Sequence, residues 1–137
     1  MKFQFYNELP QEAQMIRTKV FVEEQGFENE FDDIDNSCLH LVVYQDDKAI
    51  GCARMFDENG KMILGRIAVL KDARHLHIGS FILQTLENKA KELGYSEVVL
   101  SAQVRASDFY RKNGYQMFGK EYLDEYCPHI QMKKKLG

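Results

Sequence analysis

The sequence predicts an α+β domain built on a mixed, mainly antiparallel sheet that is flanked by helices. Residues 39–70 alternate strand-like runs with short polar turns, which is typical of an antiparallel meander. Residues 62–102 place a helical pattern between two strand patterns, which predicts a crossover that joins two parallel strands. The length of 137 residues suits one hydrophobic core, so we expect a single domain over residues 1–137.

The N-terminal region predicts a strand, a helix and a loop. Residues 2–6 alternate apolar and polar side chains, as a half-buried strand does. Pro10 can begin a helix because its missing N–H is not needed in the first turn, and an apolar stripe carries that helix to Val22. Residues 23–37 are rich in carboxylates and lack periodicity, so we expect a long acidic loop that includes at most a short helix.

The remaining elements follow from the same patterns. We expect meander strands at 39–44, 49–55 and 62–70, a helix at 78–93 ended by Gly94, a strand at 97–102, a short helix at 107–112, a segment at 115–118 and a last strand at 130–134. Ligands collect where the C-terminal ends of adjacent parallel strands meet. The chemistry is therefore expected at that edge of the sheet, beside the start of the long helix.

Composition argues against several classes of protein. A formal charge of -3 gives no long-range attraction to nucleic acid, and we expect the basic cluster at 133–135 to be a solvated tail. No apolar run approaches the roughly 20 residues that cross a bilayer, and residues 1–10 lack a signal-peptide layout, so we expect no membrane partner and a cytoplasmic location. Cys38, Cys52 and Cys127 have no metal-type spacing and are expected to be reduced structural thiols, and no metal site is proposed.

The segment 74–80 predicts an anion-binding turn between a strand and the long helix. Backbone N–H groups at a helix start have no intrahelical acceptor and, with the helix dipole, attract a pyrophosphate. Gly79 lets the backbone approach a ligand, Ser80 offers a hydroxyl and Arg74 a positive charge. The alternative is that the segment is a polar loop in which Gly79 relieves packing at the helix start.

A second motif lies downstream, in Gln103, Ala106, Phe109, Tyr110, Gly114 and Tyr115. Together the two segments resemble the GCN5-related N-acetyltransferase (GNAT) family, whose pyrophosphate loop has the form Arg/Gln-x-x-Gly-x-Gly/Ala. The match runs from Arg74 to Gly79, but His77 replaces the first glycine and Gln103 replaces the family's asparagine. The N-terminal half resembles a small bacterial-type subgroup of undefined substrate, through residues 20–26, 40, 51–54, 65–69 and 128–130.

The resemblance implies an acetyl-CoA-dependent N-acetyltransferase that moves an acetyl group to a primary amine of a small molecule or peptide in a ternary complex. It also implies that the central parallel strands splay and admit the pantetheine arm. The implied cofactor-binding residues are Ile67, Ala68, Val69, Arg74, His75, His77, Ile78, Gly79, Ser80, Gln103, Ala106, Phe109 and Tyr110. His77 is expected to be tolerated if it points outward in ordinary helical conformation. The alternative is a CoA-binding or protein-interaction module without catalysis, and either a monomer or a homodimer is expected.

Catalysis requires a proton for the departing thiolate and an uncharged amine. Tyr110 is the candidate for the proton, because a phenol is protonated at neutral pH; the alternative is an aromatic core residue beside Phe109. Glu24, His129 and Glu121 are the candidates for the base, and solvated charge or an ordinary loop residue is the alternative for each.

The sequence does not determine the charge of the acceptor. The acidic run 23–35 either attracts a cationic amine or is a solvated loop. Arg17, Arg54 and Arg66 either hold an anionic group of the acceptor or form ordinary salt bridges. A weaker hypothesis gives one of the cysteines a redox or acyl-carrying role, although no Cys-x-x-Cys pair supports it.

Overall fold

The computed structural model describes residues 1–137 and contains one seven-stranded sheet in the order β1-β2-β3-β4-β5-β7-β6. The strands are β1 Lys2–Tyr6, β2 Leu39–Gln45, β3 Lys48–Glu58, β4 Lys61–Val69, β5 Glu97–Gln103, β6 Gln116–Asp124 and β7 Cys127–Lys135. The helices are α1 Gln11–Arg17, α2 Ile78–Glu92 and α3 Ser107–Lys112. None of these helices is long and apolar enough to pass through a membrane.

Only the β4–β5 pair is parallel, and α2 is the crossover that connects these two strands. All other neighbouring strands are antiparallel. The predicted α+β class, the meander and the parallel pair are therefore confirmed. The last two strands are longer than predicted, because the segment expected at 115–118 continues to Asp124 and β7 begins at Cys127.

The parallel strands separate after a short paired stretch. Their register runs only from Met62 opposite Val98 to Leu64 opposite Leu100. Arg66 then adopts a left-handed conformation with φ 46°, and the rest of β4 stays paired with β3, up to Val69 opposite Gly51. A residue in this conformation bends a strand away from its neighbour, as in a bulge. The predicted splay is confirmed, and a gap opens between Ile67–Val69 and β5.

Helix α2 packs its apolar face on the sheet beside this gap. Ile78, Ile82 and Leu86 are 0% exposed, and each contributes roughly 1.5–3 kcal/mol through burial of its side chain. Gly51 of β3 allows the close approach, since a Cβ there would lie 3.0 Å from the Ile82 Cδ1 atom and 3.2 Å from the Ile78 Cγ2 atom. The start of α2 is therefore held tightly against the middle of the sheet.

The first helix continues as a π-helical segment, Thr18–Glu24. Pro10 directly precedes α1, as predicted, and the N–H of Gln14 donates to the Pro10 carbonyl at 3.1 Å. The acidic stretch that follows contains a 3-10 turn, Asp33–Asn36. The interpretation of this stretch as solvated holds only in part, since most of its carboxylates are exposed but Glu30 and Asp35 are buried, at 5% and 4% exposed.

Candidate functional site

The start of α2 brings three backbone donors together. The N–H groups of Ile78, Gly79 and Ser80 lie in the first turn, where a helix has no intrahelical acceptors for its N–H groups, and the N–H of Phe81 donates to the His77 carbonyl at 3.2 Å. First-turn N–H groups combine here with the positive end of the helix dipole. The arrangement is suited to an anion such as a diphosphate.

His77 immediately precedes these donors and has the left-handed conformation, with φ 59° and ψ 28°. The expectation of an ordinary helical conformation is therefore wrong. A glycine adopts this conformation without cost, which is the physical reason for a glycine at this point of such a loop. The imidazole is exposed and makes no hydrogen bond, so it does not occupy the three N–H groups.

Gly79 is required by its contact with Phe109 of α3. A Cβ at Gly79 would lie 2.8 Å from the Phe109 Cζ atom, closer than side chains approach in proteins. The Phe109 ring in turn lies 5.1 Å, centroid to centroid, from the ring of Tyr110. The packing explanation for this glycine thus has a direct structural basis, and the contact ties the start of α2 to Tyr110.

Arg74 lies beside the same turn and is held by two partners. Its Nε atom donates to the Val69 carbonyl at 3.0 Å, and its two terminal nitrogens donate to the Glu24 carboxylate at 2.6 and 2.8 Å. These hydrogen bonds lower the pKa of Glu24 and raise the pKa of Arg74. An ionised, paired carboxylate is a weak proton acceptor, which argues against Glu24 as the base.

A cleft of about 590 Å³ runs from these donors to the gap between β4 and β5; we call it the helix cleft. It is lined by Val20, Gln25, Ile67, Ala68, Val69, Arg74, His77, Gly79, Ser80, Ala106, Phe109, Tyr110, Lys112 and Asn113. Most residues predicted to bind the cofactor are in this set. Three predicted residues are not in this set. His75 is not part of the lining, the side chain of Ile78 is buried in the core, and Gln103 lines a second cavity, described next.

A second cavity of about 280 Å³ lies on the other side of the gap; we call it the histidine cavity. It is lined by Phe21, Gln25, Phe27, Asn29, Glu30, Leu64, Gly65, Arg66, Ile67, Leu100, Ser101, Gln103, Ala106, Tyr110, Asp124, Glu125 and His129. Gln25, Ile67, Ala106 and Tyr110 line both cavities. The two spaces therefore meet at Tyr110. Glu121, a third candidate base, lines neither.

The Tyr110 phenol lies where the two cavities meet and can donate a hydrogen bond there. Its hydroxyl makes no hydrogen bond to the protein, and the ring is held between those of Phe109 and Tyr115, at 5.1 and 6.0 Å. Burial raises the pKa of Tyr110 to about 12. The group stays protonated at neutral pH and has a free donor where the cavities meet.

His129 is 7% exposed and presents one nitrogen to the histidine cavity. Its Nδ1 atom lies 2.9 Å from the Cys127 carbonyl oxygen, which can only accept a hydrogen bond. That contact assigns the proton of the neutral imidazole to Nδ1 and leaves a lone pair on Nε2. Because Nε2 has no protein partner, it is available to a ligand in the cavity.

Glu30 and Arg66, which line the histidine cavity, belong to a network of arginines and acids that neutralise one another. Arg17 binds Glu30 and Asp35 at 2.9 and 2.8 Å, and Arg54 binds Asp32 and Asp35 at 2.6 and 3.0 Å. Arg66 completes this network with a contact of 2.9 Å to Glu30. Three cations thus meet three carboxylates, and the interpretation as salt bridges is the one that the geometry supports.

None of the three cysteines lines either cavity. Cys38, Cys52 and Cys127 are buried and free, and burial raises the pKa of Cys38 and raises that of Cys52 to about 12. Thiols of this kind are poor nucleophiles. The Asp35, Cys38 and His40 side chains cluster within 4.8 Å, but Arg17 and Arg54 already bind the Asp35 carboxylate, so a cation there would be repelled.

Sequence reasoning missed the walls that come from distant parts of the chain. Gln25 accepts a hydrogen bond from the Gln103 amide at 2.8 Å, so these two residues together form part of the wall of the histidine cavity. The tip of the β6–β7 hairpin closes another wall, where Glu125 accepts hydrogen bonds from the N–H groups of Glu28 and Asn29. These contacts join residues 78 to 97 positions apart, and no local pattern indicates them.

Comparison with known proteins agrees with this geometry. The model of the acetyltransferase (GNAT) domain matches residues 7–136. The uncharacterized N-acetyltransferase YjcF of Bacillus subtilis is 40% identical over 126 residues, which are 90% of each chain, and protein C11D3.02c of Schizosaccharomyces pombe is 35% identical over 89% of this chain and 85% of its own. An acyl-CoA N-acyltransferase from Pseudomonas aeruginosa superposes with a TM-score of 0.85 at 26% identity, over 98% of this chain and 99% of its own. An aminoglycoside 6'-N-acetyltransferase complexed with coenzyme A shares the fold, with a TM-score of 0.77 at 14% identity over 99% and 97% of the two chains.

Proposed function

The chain belongs to the GNAT acetyltransferase family and is an acyltransferase with acetyl-CoA as donor, and from that premise we propose that it acetylates a primary amine by direct transfer in a ternary complex. The observation that carries the proposal is the meeting of two cavities at Tyr110. Direct transfer needs donor and acceptor side by side with their reacting atoms in contact. A donor in the helix cleft and an acceptor in the histidine cavity satisfy this requirement.

The donor is bound along the helix cleft. Its diphosphate accepts hydrogen bonds from the N–H groups of Ile78, Gly79 and Ser80, which form the first turn of α2. Its pantetheine arm enters the gap beside Ile67–Val69, where β4 has left β5 and its backbone groups are free to bond amides. The thioester then reaches the Tyr110 hydroxyl.

The chemistry begins with attack of the uncharged amine on the thioester carbonyl, which forms a C–N bond. The Nε2 atom of His129 takes the proton that the amine nitrogen loses. Collapse of the tetrahedral intermediate breaks the C–S bond, and the Tyr110 hydroxyl donates to the departing sulfur. Burial raises the pKa of Tyr110 to about 12, so the hydroxyl is still protonated and able to donate when the sulfur departs.

Two variants and one control test the proposal. Calorimetry with acetyl-CoA should detect binding to the native protein, and absence of binding at millimolar ligand would remove the basis for the proposal. Tyr110→Phe and His129→Gln should retain acetyl-CoA affinity and lose roughly a hundredfold in turnover of an amine found by screening, the usual range for loss of an acid or base. Tyr95→Phe, which removes an exposed phenol far from both cavities, should leave turnover unchanged. Full turnover by Tyr110→Phe would reject the phenol as the acid.

A further inference from the structure

The proposed function requires an amine acceptor, and the charges that line the histidine cavity indicate which kind. Arg66 is the only arginine or lysine that lines it. Its guanidinium already has protein partners. It contacts the Glu30 carboxylate at 2.9 Å and the Asp32 carboxylate at 3.5 Å, and it donates a hydrogen bond to the Glu30 carbonyl at 3.0 Å. An acceptor with a carboxylate or phosphate therefore has no free cation to bind.

Two other carboxylates of the lining have no cation partner. Asp124 accepts no hydrogen bond and forms no ion pair. Glu125 accepts hydrogen bonds only from the backbone N–H groups of Glu28 and Asn29, at 2.9 and 3.0 Å, and these bonds lower its pKa. The charges of Arg17, Arg54 and Arg66 are balanced by those of Glu30, Asp32 and Asp35, so Asp124 and Glu125 give this part of the cavity a net negative charge that attracts cations, even though Arg66 also acts on Glu125.

The hairpin register fixes the distance between this charge and the reacting end of the cavity. Tyr122 lies opposite His129, and Asp124 follows two residues later on the same face of β6. Two residues of strand span about 7 Å. The free Nε2 atom of His129, itself 7% exposed, marks one end of this span, and the unpaired Asp124 carboxylate marks the other.

We propose that the acceptor is a primary amine that carries a second cationic group, an ammonium or a guanidinium, on a short chain, and that Asp124 binds that second group. The amine lies between His129 and Tyr110, and the far cation lies at the hairpin tip. This inference rests on the proposed function and makes Asp124 a determinant of specificity. Glu125 adds negative charge beside it while its N–H contacts fix the hairpin tip.

Three amines with the same four-carbon chain test the proposal: agmatine, n-butylamine and γ-aminobutyrate, whose tails are positive, neutral and negative. The native enzyme should have the highest kcat/KM with agmatine and the lowest with γ-aminobutyrate. Asp124→Asn should reduce the ratio of agmatine to n-butylamine by about fivefold, the upper end for one exposed ion pair. The comparison of ratios cancels differences in the amines' own nucleophilicity. Asp47→Asn, the same change in the β2–β3 turn, should keep the native ratio.

The outcomes separate this inference from the proposed function. Acetylation of all three amines at similar kcat/KM, or an Asp124→Asn ratio equal to the native ratio, would overturn the role of Asp124 and leave acetyl transfer intact. Calorimetry of the CoA complex provides a readout without turnover: agmatine should bind more tightly than n-butylamine, and Asp124→Asn should lose that difference. Binding with this preference but without acetylation would support the recognition and count against the proposed chemistry.

Discussion

Glu24 binds the Arg74 guanidinium with both carboxylate oxygens, at 2.6 and 2.8 Å, beside the first-turn N–H groups of α2. The pair connects the π-helical segment of the N-terminal helix to the turn that precedes α2. A diphosphate at that turn competes with Glu24 for the same guanidinium. The ion pair is exposed, so it is weak enough to be exchanged when the ligand binds.

Glu24→Gln should therefore tighten binding of acetyl-CoA, by about threefold, because it removes the negative charge that competes for Arg74. Arg74→Ala should weaken binding, and the difference between the two variants should shrink as salt is raised. Calorimetry at two ionic strengths measures both effects. Turnover of Glu24→Gln should remain near the native value; a loss comparable to that of His129→Gln would instead identify Glu24 as the base.

His77→Gly should raise the free energy of unfolding by about 0.5–1 kcal/mol, since glycine adopts the left-handed conformation of residue 77 without steric cost. It also removes a side chain that lines the helix cleft, so acetyl-CoA affinity should hold or improve. Urea unfolding and calorimetry measure the two quantities. His75→Gly is the matched control, because His75 has no positive φ and the same change there should destabilise the protein. Destabilisation by His77→Gly would mean that the imidazole makes a contribution not visible in its contacts.

The elements of the fold were predictable because each is set by a local pattern. The meander and α2 carry periodic apolar residues, and the turn at 74–80 follows directly from a strand that leads into a helix. The conformation of His77 was not predictable by the same means, since the side chain alone favours an ordinary helical φ. The backbone there is set by the entry of the chain into α2.

The walls of the histidine cavity depend on contacts between distant segments, and the sequence could not predict them. Residues 23–37 have the composition of a solvated loop, and no local pattern predicts that Glu30, Asp32 and Asp35 bind Arg17, Arg54 and Arg66. The Asp124 carboxylate enters the site because β6 extends well past the predicted segment. Charge patterns identify a site only once the partners of each charge are known.

Stability should fall in acid because of Asp35. Burial opposes ionisation of this carboxyl, but the hydrogen bonds and charges of Arg17 and Arg54 outweigh burial and lower its pKa from 3.8 to about 2. A folded-state pKa below the unfolded value means that ionised Asp35 stabilises the fold above about pH 4, by about 2 kcal/mol. This contribution should be lost as the pH falls from about 4 to 2.

Urea unfolding at stepped pH measures that loss in the native protein. Asp35→Asn should flatten the acid limb and lower stability at neutral pH by about 3–5 kcal/mol, since it leaves two buried guanidiniums short of a counter-charge. Asp47→Asn, at an exposed turn, should reproduce the native curve. A native curve that stays level between pH 4 and pH 2 would contradict the role assigned to Asp35.

Gly79→Ala should disrupt the site by way of Phe109. Alanine normally stabilises a helix relative to glycine, by about 1 kcal/mol in the helix interior. Here the added Cβ would lie 2.8 Å from the Phe109 Cζ atom, so the ring must move and take the neighbouring Tyr110 with it. We expect a loss of about 1–3 kcal/mol in stability and a fall in turnover, measured by urea unfolding and by the rate of acetylation.

Phe109→Leu in the same chain removes the Cζ atom and should recover most of what Gly79→Ala loses. The coupling between the two changes should be at least about 0.5 kcal/mol, which a double-mutant cycle measures. Ser80→Ala is the control at the next position, because serine already has a Cβ and the change adds no atom. If the two changes are additive and only acetyl-CoA affinity falls, Gly79 serves the approach of the diphosphate to the backbone. If they couple, the glycine holds α2 against α3 and thereby sets the position of the phenol at the junction of the two cavities.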